Sequence, residues 1–244
     1  MAADKKVALI TGANKGIGLE IARQLGAQGI IVVVGSRDPQ KGQEAVDTLK
    51  AEGIDAYTLK LEVTDAADRE AALPFLQEKF GRLDILVNNA GVLLDAEGVT
   101  PDTLARTYDA NVIAPYSLTE TLLPLLKAAP AGRVVHQSSL LGSVTAVLGS
   151  RATDASGQIP AGYLLPAYNS SKAALNMLGV IQASNLNDTP VKVNIAHPGS
   201  VKTDMNPSGD LSLEEGAKTA VMLATLPDDG PTGGFFHLGE TLPW

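Results

Sequence analysis

Tyr168 and Lys172 are separated by four positions, the spacing that places two side chains on one face of a helix. An ammonium group beside a phenol stabilises the phenolate. We therefore expect Lys172 to lower the pKa of Tyr168 below its ordinary value near ~10. A phenol tuned in this way can act as a general acid or base. The same spacing also occurs on solvated helix faces, so the pair needs support from the rest of the chain.

The elements that must position this pair alternate along the whole chain. Short β-branched runs at 7–10, 30–34, 56–61, 84–87, 133–136, 191–196 and 234–237 are predicted strands, and longer amphipathic segments between them are predicted helices, one of them capped by Asp65. Such alternation predicts a single α/β domain over residues 1–244, with about seven parallel strands in a doubly wound sheet and helices on both faces. Segments 148–166 and 198–212 are predicted long loops that carry function.

The composition excludes several classes of protein. The chain has 244 residues, no cysteine and a net charge of −8, and no basic tract occurs in it. Disulfides and thiolate chemistry are therefore excluded, and binding to nucleic acid or to an anionic membrane is not expected. No apolar run approaches the roughly 18 residues of a membrane span, and no signal peptide is evident. The sequence predicts a soluble cytoplasmic protein. Three scattered histidines, His136, His197 and His237, predict no metal site.

A glycine-rich turn, TGANKGIG at residues 11–18, joins the first predicted strand to the first helix. Glycines at such a turn let backbone N–H groups approach a pyrophosphate at the positive end of the helix. The spacing Gly-x-x-x-Gly-x-Gly differs from the commonest dinucleotide fingerprint, and a packing role alone would also explain the glycines. The strand–turn–helix context favours a dinucleotide site.

The end of the second strand indicates which dinucleotide is bound. Sites for NAD usually place an acidic residue there to bind the ribose 2′-hydroxyl. This chain has Gly35-Ser36-Arg37, and Lys15 lies in the glycine turn. Two cations and a hydroxyl suit a 2′-phosphate, so the sequence predicts NADPH in preference to NADH. Both cations would also be unremarkable as ordinary surface charges.

Further motifs follow in register along nearly the whole chain. Together with the glycine turn at residues 11–18 and the Tyr168/Lys172 pair, they are Asn88-Asn89-Ala90-Gly91, Asn111, Ser138-Ser139, and Pro198-Gly199 with Thr203. This set of motifs resembles the short-chain dehydrogenase/reductase family. The resemblance implies a Rossmann-type fold. It also implies four catalytic residues: Asn111, Ser139, Tyr168 and Lys172. Ser138 is the alternative to Ser139, and a helix-kink amide is the alternative role for Asn111.

In the family, the tyrosine gives a proton to the substrate carbonyl oxygen as hydride arrives from the nicotinamide. The lysine lowers the pKa of the tyrosine and binds the nicotinamide ribose, and the serine binds the same carbonyl oxygen. The asparagine holds a water that links the lysine to solvent. The implied cofactor contacts are Gly12, Asn14, Lys15, Gly16, Ile17, Gly18, Arg37, Glu62, Val63, Asn89, Ala90, Gly91, Tyr168, Lys172, Pro198, Gly199, Val201 and Thr203. Glu62 departs from the family, which commonly has aspartate there.

The long interval between Ser139 and Tyr168 is a second departure, because an insertion at about 148–166 precedes the catalytic helix. With the glycine turn and the final Trp244, it resembles the NADPH-dependent carbonyl reductases, which are often monomeric. An insertion beside this helix would obstruct a subunit interface, so a monomer is favoured and a homo-oligomer stays open. The expected substrate pocket is apolar and is lined by Leu93, Leu140, Leu141, Tyr163 and Met205.

The resulting hypothesis is NADPH-dependent reduction of hydrophobic ketones or aldehydes to alcohols, with a small-molecule carbonyl compound as the partner. One alternative is an NAD-dependent alcohol dehydrogenase working in the oxidative direction. A second alternative is a dinucleotide-sensing protein without catalysis. A sensor would be expected to have lost the tyrosine or the lysine, and both are present here.

Overall fold

The structure is a computed structural model that describes residues 5–149 and 164–244. Its strands are β1 (Val7–Thr11), β2 (Ile31–Ser36), β3 (Ala56–Lys60), β4 (Ile85–Asn88), β5 (Arg133–Gln137), β6 (Lys192–Ala196), β7 (Phe235–His237) and β8 (Glu240–Thr241). Its α-helices are α1 (Gly16–Ala27), α2 (Pro39–Ala51), α3 (Ala66–Phe80), α4 (Pro101–Tyr108), α5 (Ala114–Ala128), α6 (Val144–Gly149), α7 (Pro166–Asn185) and α8 (Leu213–Ala224). Short 3-10 turns occupy Asp95–Glu97 and Leu140–Gly142, and a π-helical turn occupies Asp109–Ile113.

The strands form one sheet in the order β3-β2-β1-β4-β5-β6-β7-β8. The first seven of these pair in parallel, which confirms the predicted α/β class and its parallel sheet. The two-residue β8 pairs antiparallel with β7, and the sequence reading missed it because Glu240 and Thr241 carry no strand pattern. The strand order reverses between β1 and β4. Ligands bind at the carboxyl ends of the strands at such a switch point.

Helices cover both faces of the sheet, as the alternation of buried side chains requires. Ala8 and Ile10 of β1 pack with α1, α2 and α8, whereas Val7 and Leu9 pack with α3, α5 and α7. Adjacent residues of a strand point to opposite faces, so a strand that is apolar at every position must be covered on both. These two cores hold the carboxyl ends of the strands in a fixed arrangement.

The predicted N-cap at Asp65 is confirmed, since its carboxylate accepts a hydrogen bond from the Ala67 amide at 2.9 Å. The predicted loop at 148–166 begins differently from expectation, because residues 148 and 149 complete α6. Residues 150–163 of that predicted insertion lie outside the described residues. The segment 198–212 is held together by a bridge between Val201 and Leu211. Among the helices of the two described ranges, none has the length and apolarity to cross a membrane.

Candidate active site

The glycine turn brings the start of α1 against the chain that follows β4. Gly12 and Gly16 have φ of +62° and +59°, a backbone conformation that favours glycine. A Cβ on Gly18 would lie 2.5 Å from Nδ2 of Asn89, so only glycine allows this close approach. The same amide nitrogen donates to the Thr11 carbonyl at 2.9 Å. Two segments predicted from the sequence to bind the cofactor are thus held side by side.

Thr11 fastens these two segments further. Its hydroxyl accepts hydrogen bonds from the backbone amides of Asn89 at 3.0 Å and Ala90 at 2.9 Å. Both bonds bridge residues almost eighty positions apart, and the sequence reading assigned Thr11 only to the turn motif. The glycine turn and the segment after β4 are thus held in a fixed arrangement at the switch point between β1 and β4.

The start of α1 has the features of a pyrophosphate site. Lys15, the N-cap residue, makes no side-chain capping bond, so no capping side chain occupies the amides of the first turn. Around Gly16, a Cβ would meet no described atom within 4 Å. Uncapped amides at the positive end of a helix, facing open space, match the chemistry of a phosphate group. The residues present therefore fit a dinucleotide.

In the predicted 2′-phosphate site, Arg37 is placed as expected, whereas Lys15 and Ser36 are engaged by other residues. Arg37 is exposed and has no ion pair or side-chain hydrogen bond among residues 5–149 and 164–244, so it is available to an anion. Lys15 instead pairs with Asp204 of the 198–212 segment at 2.5 Å. Ser36 is buried, and its hydroxyl donates to the Asp38 carbonyl at 2.8 Å. Arg37 is therefore the better-placed cation.

Glu62 and Val63 follow β3, where the resemblance expects contacts to adenine. One carboxylate oxygen of Glu62 accepts a hydrogen bond from the hydroxyl of Thr64 at 3.0 Å. The carbonyl of Val63 accepts from the guanidinium of Arg69 at 2.6 Å. Val63 also lines a small groove together with Thr11, Asn88 and Ala90. Val63 thus lies beside the same switch point as the glycine turn, and Glu62 directly precedes it.

Ser139, Tyr168 and Lys172 come together at the carboxyl end of β5. The side chain of Ser139 lies close enough to the phenol of Tyr168 to favour the ionised form of the phenol. Lys172 Nζ lies 5.6 Å from the centroid of the Tyr168 ring and donates to the Gln137 carbonyl at 2.9 Å. The three side chains that the sequence predicts to react therefore share one site.

Ser138 points away from this site. Its hydroxyl donates to Oδ1 of Asn176 at 2.6 Å and is buried against α7. Neighbouring residues of extended chain point in opposite directions, so only one of the two serines can face Tyr168. In this structure that residue is Ser139.

Burial sets the protonation of the pair. It raises the pKa of Tyr168 to about 12, although the nearby Ser139 side chain acts in the opposite direction. It also lowers the pKa of Lys172 to about 8. The expected lowering of the Tyr168 pKa by Lys172 is not what the structure shows, because the ammonium is engaged by the Gln137 carbonyl and desolvation of the phenolate dominates. At neutral pH Tyr168 keeps its proton.

Asn111 lies in the π-helical turn between α4 and α5. Its amide group exchanges two hydrogen bonds with the backbone of Val92, at 2.8 and 2.9 Å, and donates to the hydroxyl of Ser171 at 3.0 Å. A Cβ on Gly91 would lie 3.1 Å from Oδ1 of Asn111 and 3.6 Å from Nζ of Lys172. Asn111 therefore adjoins Lys172 and ties three segments of the site together. π-turns often occur at functional sites.

The amino end of α7 is capped from a distant segment, which the sequence reading missed. Leu165, the N-cap residue, supplies no capping bond of its own. Asp95 supplies two, since its carboxylate oxygens accept from the amides of Ala167 at 2.9 Å and Tyr168 at 3.1 Å. An anion at this position also suits the positive end of the helix. The signal in the sequence was weak: α7 begins at Pro166 with no capping residue before it.

The 198–212 segment closes the other side of the site. Gly199 has a φ of +87°, and Val201 is buried against Gly216 of α8. Thr203 accepts a hydrogen bond from the Asn206 amide at 3.1 Å. These contacts give the segment after Pro198 a defined path beside β6.

His197 has a structural position between the ends of β5 and β6. Its Nδ1 accepts a hydrogen bond from the Leu140 amide at 3.2 Å, which holds the turn after Ser139. Burial, with a smaller contribution from His237, lowers the pKa of His197 to about 3. The ring is neutral at any physiological pH and joins the β5 and β6 ends.

The predicted apolar lining is only partly described. Leu93, Leu140 and Leu141 are half-buried at the carboxyl ends of β4 and β5. Met205 is 46% exposed in the 198–212 segment. Tyr163 lies outside the described residues.

Comparisons with known proteins agree with this geometry. The family model described as short chain dehydrogenase matches residues 6–151 and 155–212. The chain is 37% identical to (+)-neomenthol dehydrogenase from Arabidopsis thaliana over 95% of each protein, and 33% identical to carbonyl reductase (NADPH) 1 from Mus musculus over 100% of each. An NADPH-bound carbonyl reductase from chicken fatty liver superimposes with a TM-score of 0.84 at 29% identity, covering 98% of this chain and 99% of that one. This chain belongs to the short-chain dehydrogenase family.

Proposed function

We propose that the protein reduces hydrophobic ketones or aldehydes to alcohols with NADPH, and that Tyr168 is the proton donor. One observation carries the proposal: a protonated Tyr168, Ser139 and Lys172 meet at the carboxyl end of β5, at the same edge of the sheet as an uncapped glycine turn that fits a pyrophosphate. A carbonyl reduction needs both parts, because a proton and a hydride must reach the same C=O group.

The cofactor would be held along the carboxyl edge of the sheet, and when bound it supplies the hydride. The glycine turn from Gly12 to Gly18 would hold the pyrophosphate, and Arg37 would hold the 2′-phosphate. Glu62, Val63 and the segment Asn89-Ala90-Gly91 would line the adenosine half. Pro198, Gly199, Val201 and Thr203 would line the nicotinamide half. The names of two relatives, the mouse and chicken carbonyl reductases, specify NADPH.

The catalytic side chains would divide the work on the carbonyl oxygen. Tyr168 Oη would donate its proton to that oxygen, and Ser139 would donate a second hydrogen bond that stabilises the developing negative charge. Lys172, positively charged below a pKa of about 8, would stabilise the phenolate left on Tyr168. Asn111 would keep Lys172 in contact with the proton supply from solvent.

The apolar side chains around this point favour a hydrophobic substrate. Leu93, Leu140 and Leu141 are partly accessible, and Met205 is exposed at the edge of the site. Apolar linings with a few placed polar groups are typical of sites for small hydrophobic molecules. We therefore propose aryl or alicyclic carbonyl compounds as the substrate class.

The test is the decrease in absorbance of NADPH at 340 nm with a panel of aryl ketones, aldehydes and diketones, with NADH assayed in parallel. Tyr168→Phe is expected to lower kcat by about 10²–10⁴-fold while the Kd for NADPH stays unchanged, because the phenol acts on the proton transfer. Tyr57→Phe is the matched control, since Tyr57 lies on the outer strand β3 and packs against Phe80 of α3. Near-full activity in Tyr168→Phe would remove Tyr168 as the acid. Absence of turnover with every substrate, despite NADPH binding, would overturn the reductase assignment.

A further inference from the structure

Gln137, the last residue of β5, is a buried amide without hydrogen-bond partners for its side chain. It is 6% exposed. Neither its Oε1 nor its Nε2 has a partner within the described part of the chain. Buried polar groups are nearly always satisfied, because an unpaired one has lost its bonds to water and gained none. An amide left unpaired on both sides is therefore a sign of a missing ligand.

The direction of the Gln137 side chain follows from the alternation along β5. His136 points to the face of α7, where its ring hydrogen-bonds to Gln182, and Val135 points to the opposite face with α1 and α8. Gln137 shares the face of Val135. Ser138 returns to the α7 face by bonding to Asn176, so Gln137 and Ser139 lie on the same side of the chain.

Gln137 lies between the segment that would hold the nicotinamide half of the cofactor and the segment that would line its adenosine half. In the sheet it is paired with Ala196, which leads into Pro198 and Gly199. On the β4 side, Asn88 pairs with His136, the residue before Gln137. Asn89, the residue after Asn88, therefore lies beside Gln137, and its side chain hydrogen-bonds to the glycine turn. The backbone carbonyl of Gln137 itself accepts the hydrogen bond from Lys172.

We propose that the side-chain amide of Gln137 binds the carboxamide of the nicotinamide ring. The inference rests on the proposed function. A primary amide presents one carbonyl acceptor and one NH₂ donor, and the nicotinamide carboxamide presents the same two groups, so the pair can satisfy both unpaired atoms of Gln137. The carboxamide keeps further donor and acceptor capacity for Val201 and Thr203. Gln137 would thereby select a nicotinamide with an intact carboxamide and set the rotation of the ring.

The test compares ligands that differ only in the nicotinamide half, with affinities measured by isothermal titration calorimetry. Gln137→Met conserves side-chain length and removes both polar groups. It is expected to weaken NADP⁺ binding by about tenfold, the magnitude of one or two neutral hydrogen bonds. Its affinity for adenosine 2′,5′-bisphosphate, which has no nicotinamide, should equal that of the wild type. The Tm of the variant without ligand should not fall, because no protein hydrogen bond is lost.

A control variant and a cofactor analogue distinguish binding of the carboxamide by Gln137 from a general loss of structure. Thr58→Val is the control, since Thr58 Oγ1 is also buried without a partner among the described residues but lies on β3 away from the nicotinamide. Its affinity for NADP⁺ should not change. The 3-acetylpyridine analogue of NADP⁺ replaces the carboxamide NH₂ with a methyl group. The wild type should bind it more weakly than NADP⁺, and this difference should be smaller in Gln137→Met, where only Val201 and Thr203 remain to contact the carboxamide.

Several outcomes would overturn the inference. These are equal NADP⁺ affinity of Gln137→Met and wild type, an equal loss of affinity for the bisphosphate, or no preference of the wild type for NADP⁺ over its analogue. A wild-type protein that binds NADP⁺ and oxidises NADPH with carbonyl compounds, but shows any of these results, would lose only the inference on Gln137. A wild type that binds no NADP⁺ would overturn the proposed function as well.

Discussion

At the scale of single residues, burial decides the protonation states that the chemistry needs. Tyr168 and Lys172 share a helix face as their spacing predicts, yet the pKa of the phenol is raised to about 12 and that of the ammonium is lowered to about 8. Both shifts disfavour the charged form, which is the signature of desolvation. The site therefore holds a neutral phenol that is suited to giving up a proton only when negative charge develops beside it.

Arg37 is the residue whose charge should select the cofactor. It is exposed at the end of β2 and forms no ion pair with any acid in the described part of the chain, whereas Lys15 is engaged by Asp204. Arg37→Asp should therefore raise the Kd for NADPH by at least about tenfold, because a charge-assisted bond to the 2′-phosphate is replaced by repulsion. The Kd for NADH should change much less. Fluorescence titration with both cofactors measures the ratio.

Lys41→Asp is the control, because it makes the same change of charge at an exposed residue in the first turn of α2. Lys41 Nζ lies 4.0 Å from Oδ2 of Asp38. This variant should keep the wild-type preference for NADPH. If Arg37→Asp leaves the NADPH/NADH ratio unchanged, or if the two variants shift it equally, Arg37 does not contact the 2′-phosphate.

At the scale of elements, the position of α7, which carries the proposed proton donor Tyr168, depends on a cap supplied from another segment. Asp95 binds the second and third residues of α7, the third being Tyr168 itself. The turn Leu140–Gly142 packs on the same helix, since a Cβ on Gly142 would lie 2.8 Å from the Cβ of Lys172. These two contacts from distant loops thus fix the first turn of α7, which contains Tyr168, and the position of Lys172 one turn later.

Asp95→Ala should lower kcat by roughly tenfold and lower the free energy of unfolding by about 1 kcal/mol, the usual cost of losing an N-cap. The Kd for NADPH should stay unchanged, because the cap acts on the position of the phenol. Asp95→Asn retains one acceptor oxygen and should recover part of kcat. Steady-state kinetics and denaturant unfolding measure the two effects separately.

Asp65→Ala removes the N-cap of α3, a helix without candidate site residues, and is the control for the loss of stability alone. It should lower the stability to a similar degree and leave kcat as in the wild type. An Asp95→Ala variant with the same profile would show that the cap has no role in positioning Tyr168.

At the scale of the whole molecule, a series of hydrogen-bonded side chains joins the sheet to α5 and α7 on one of its faces. Nδ1 of His136 accepts from Asn88, and Nε2 of His136 donates to Gln182, which in turn donates to Glu120 of α5. Burial lowers the pKa of His136 from 6.5 to about 4. Protonation at Nδ1 would place an N–H group against the Asn88 NH₂ group, so the folded state resists it.

The stability of the protein should therefore fall in acid. A group whose pKa is lowered by folding binds more protons in the unfolded state between the two pKa values. The contribution of His136 is fully present above pH 6.5 and is lost progressively as the pH falls toward about 4, by roughly 3 kcal/mol in total. Denaturant unfolding at a series of pH values measures this slope. His136→Asn, which cannot titrate, should reduce this slope and leave the part contributed by His197, whose pKa is lowered to about 3. An unchanged slope in that variant would assign the acid sensitivity to other groups.

Much of the fold and the location of the site were determined by local patterns in the sequence. Short apolar runs between amphipathic segments are typical of parallel strands and covering helices, and the structure confirms seven such strands. The glycine turn, the segment Asn88–Gly91 and Ser139 each follow directly after a predicted strand. The carboxyl ends of parallel strands meet at one edge of the sheet, so their convergence could be predicted without coordinates.

What only the tertiary structure decided depends on contacts between residues far apart in the chain and on the loss of solvent around them. The cap from Asp95 to Tyr168, the ion pair of Lys15 with Asp204 and the unpaired amide of Gln137 have no local signal. The direction of the Tyr168 pKa shift was predicted wrongly, because helical spacing shows that Lys172 is near but not how strongly the surrounding protein desolvates the half-buried Tyr168. Spacing along the chain determines which groups are neighbours, and the packed structure determines how much water each of them keeps.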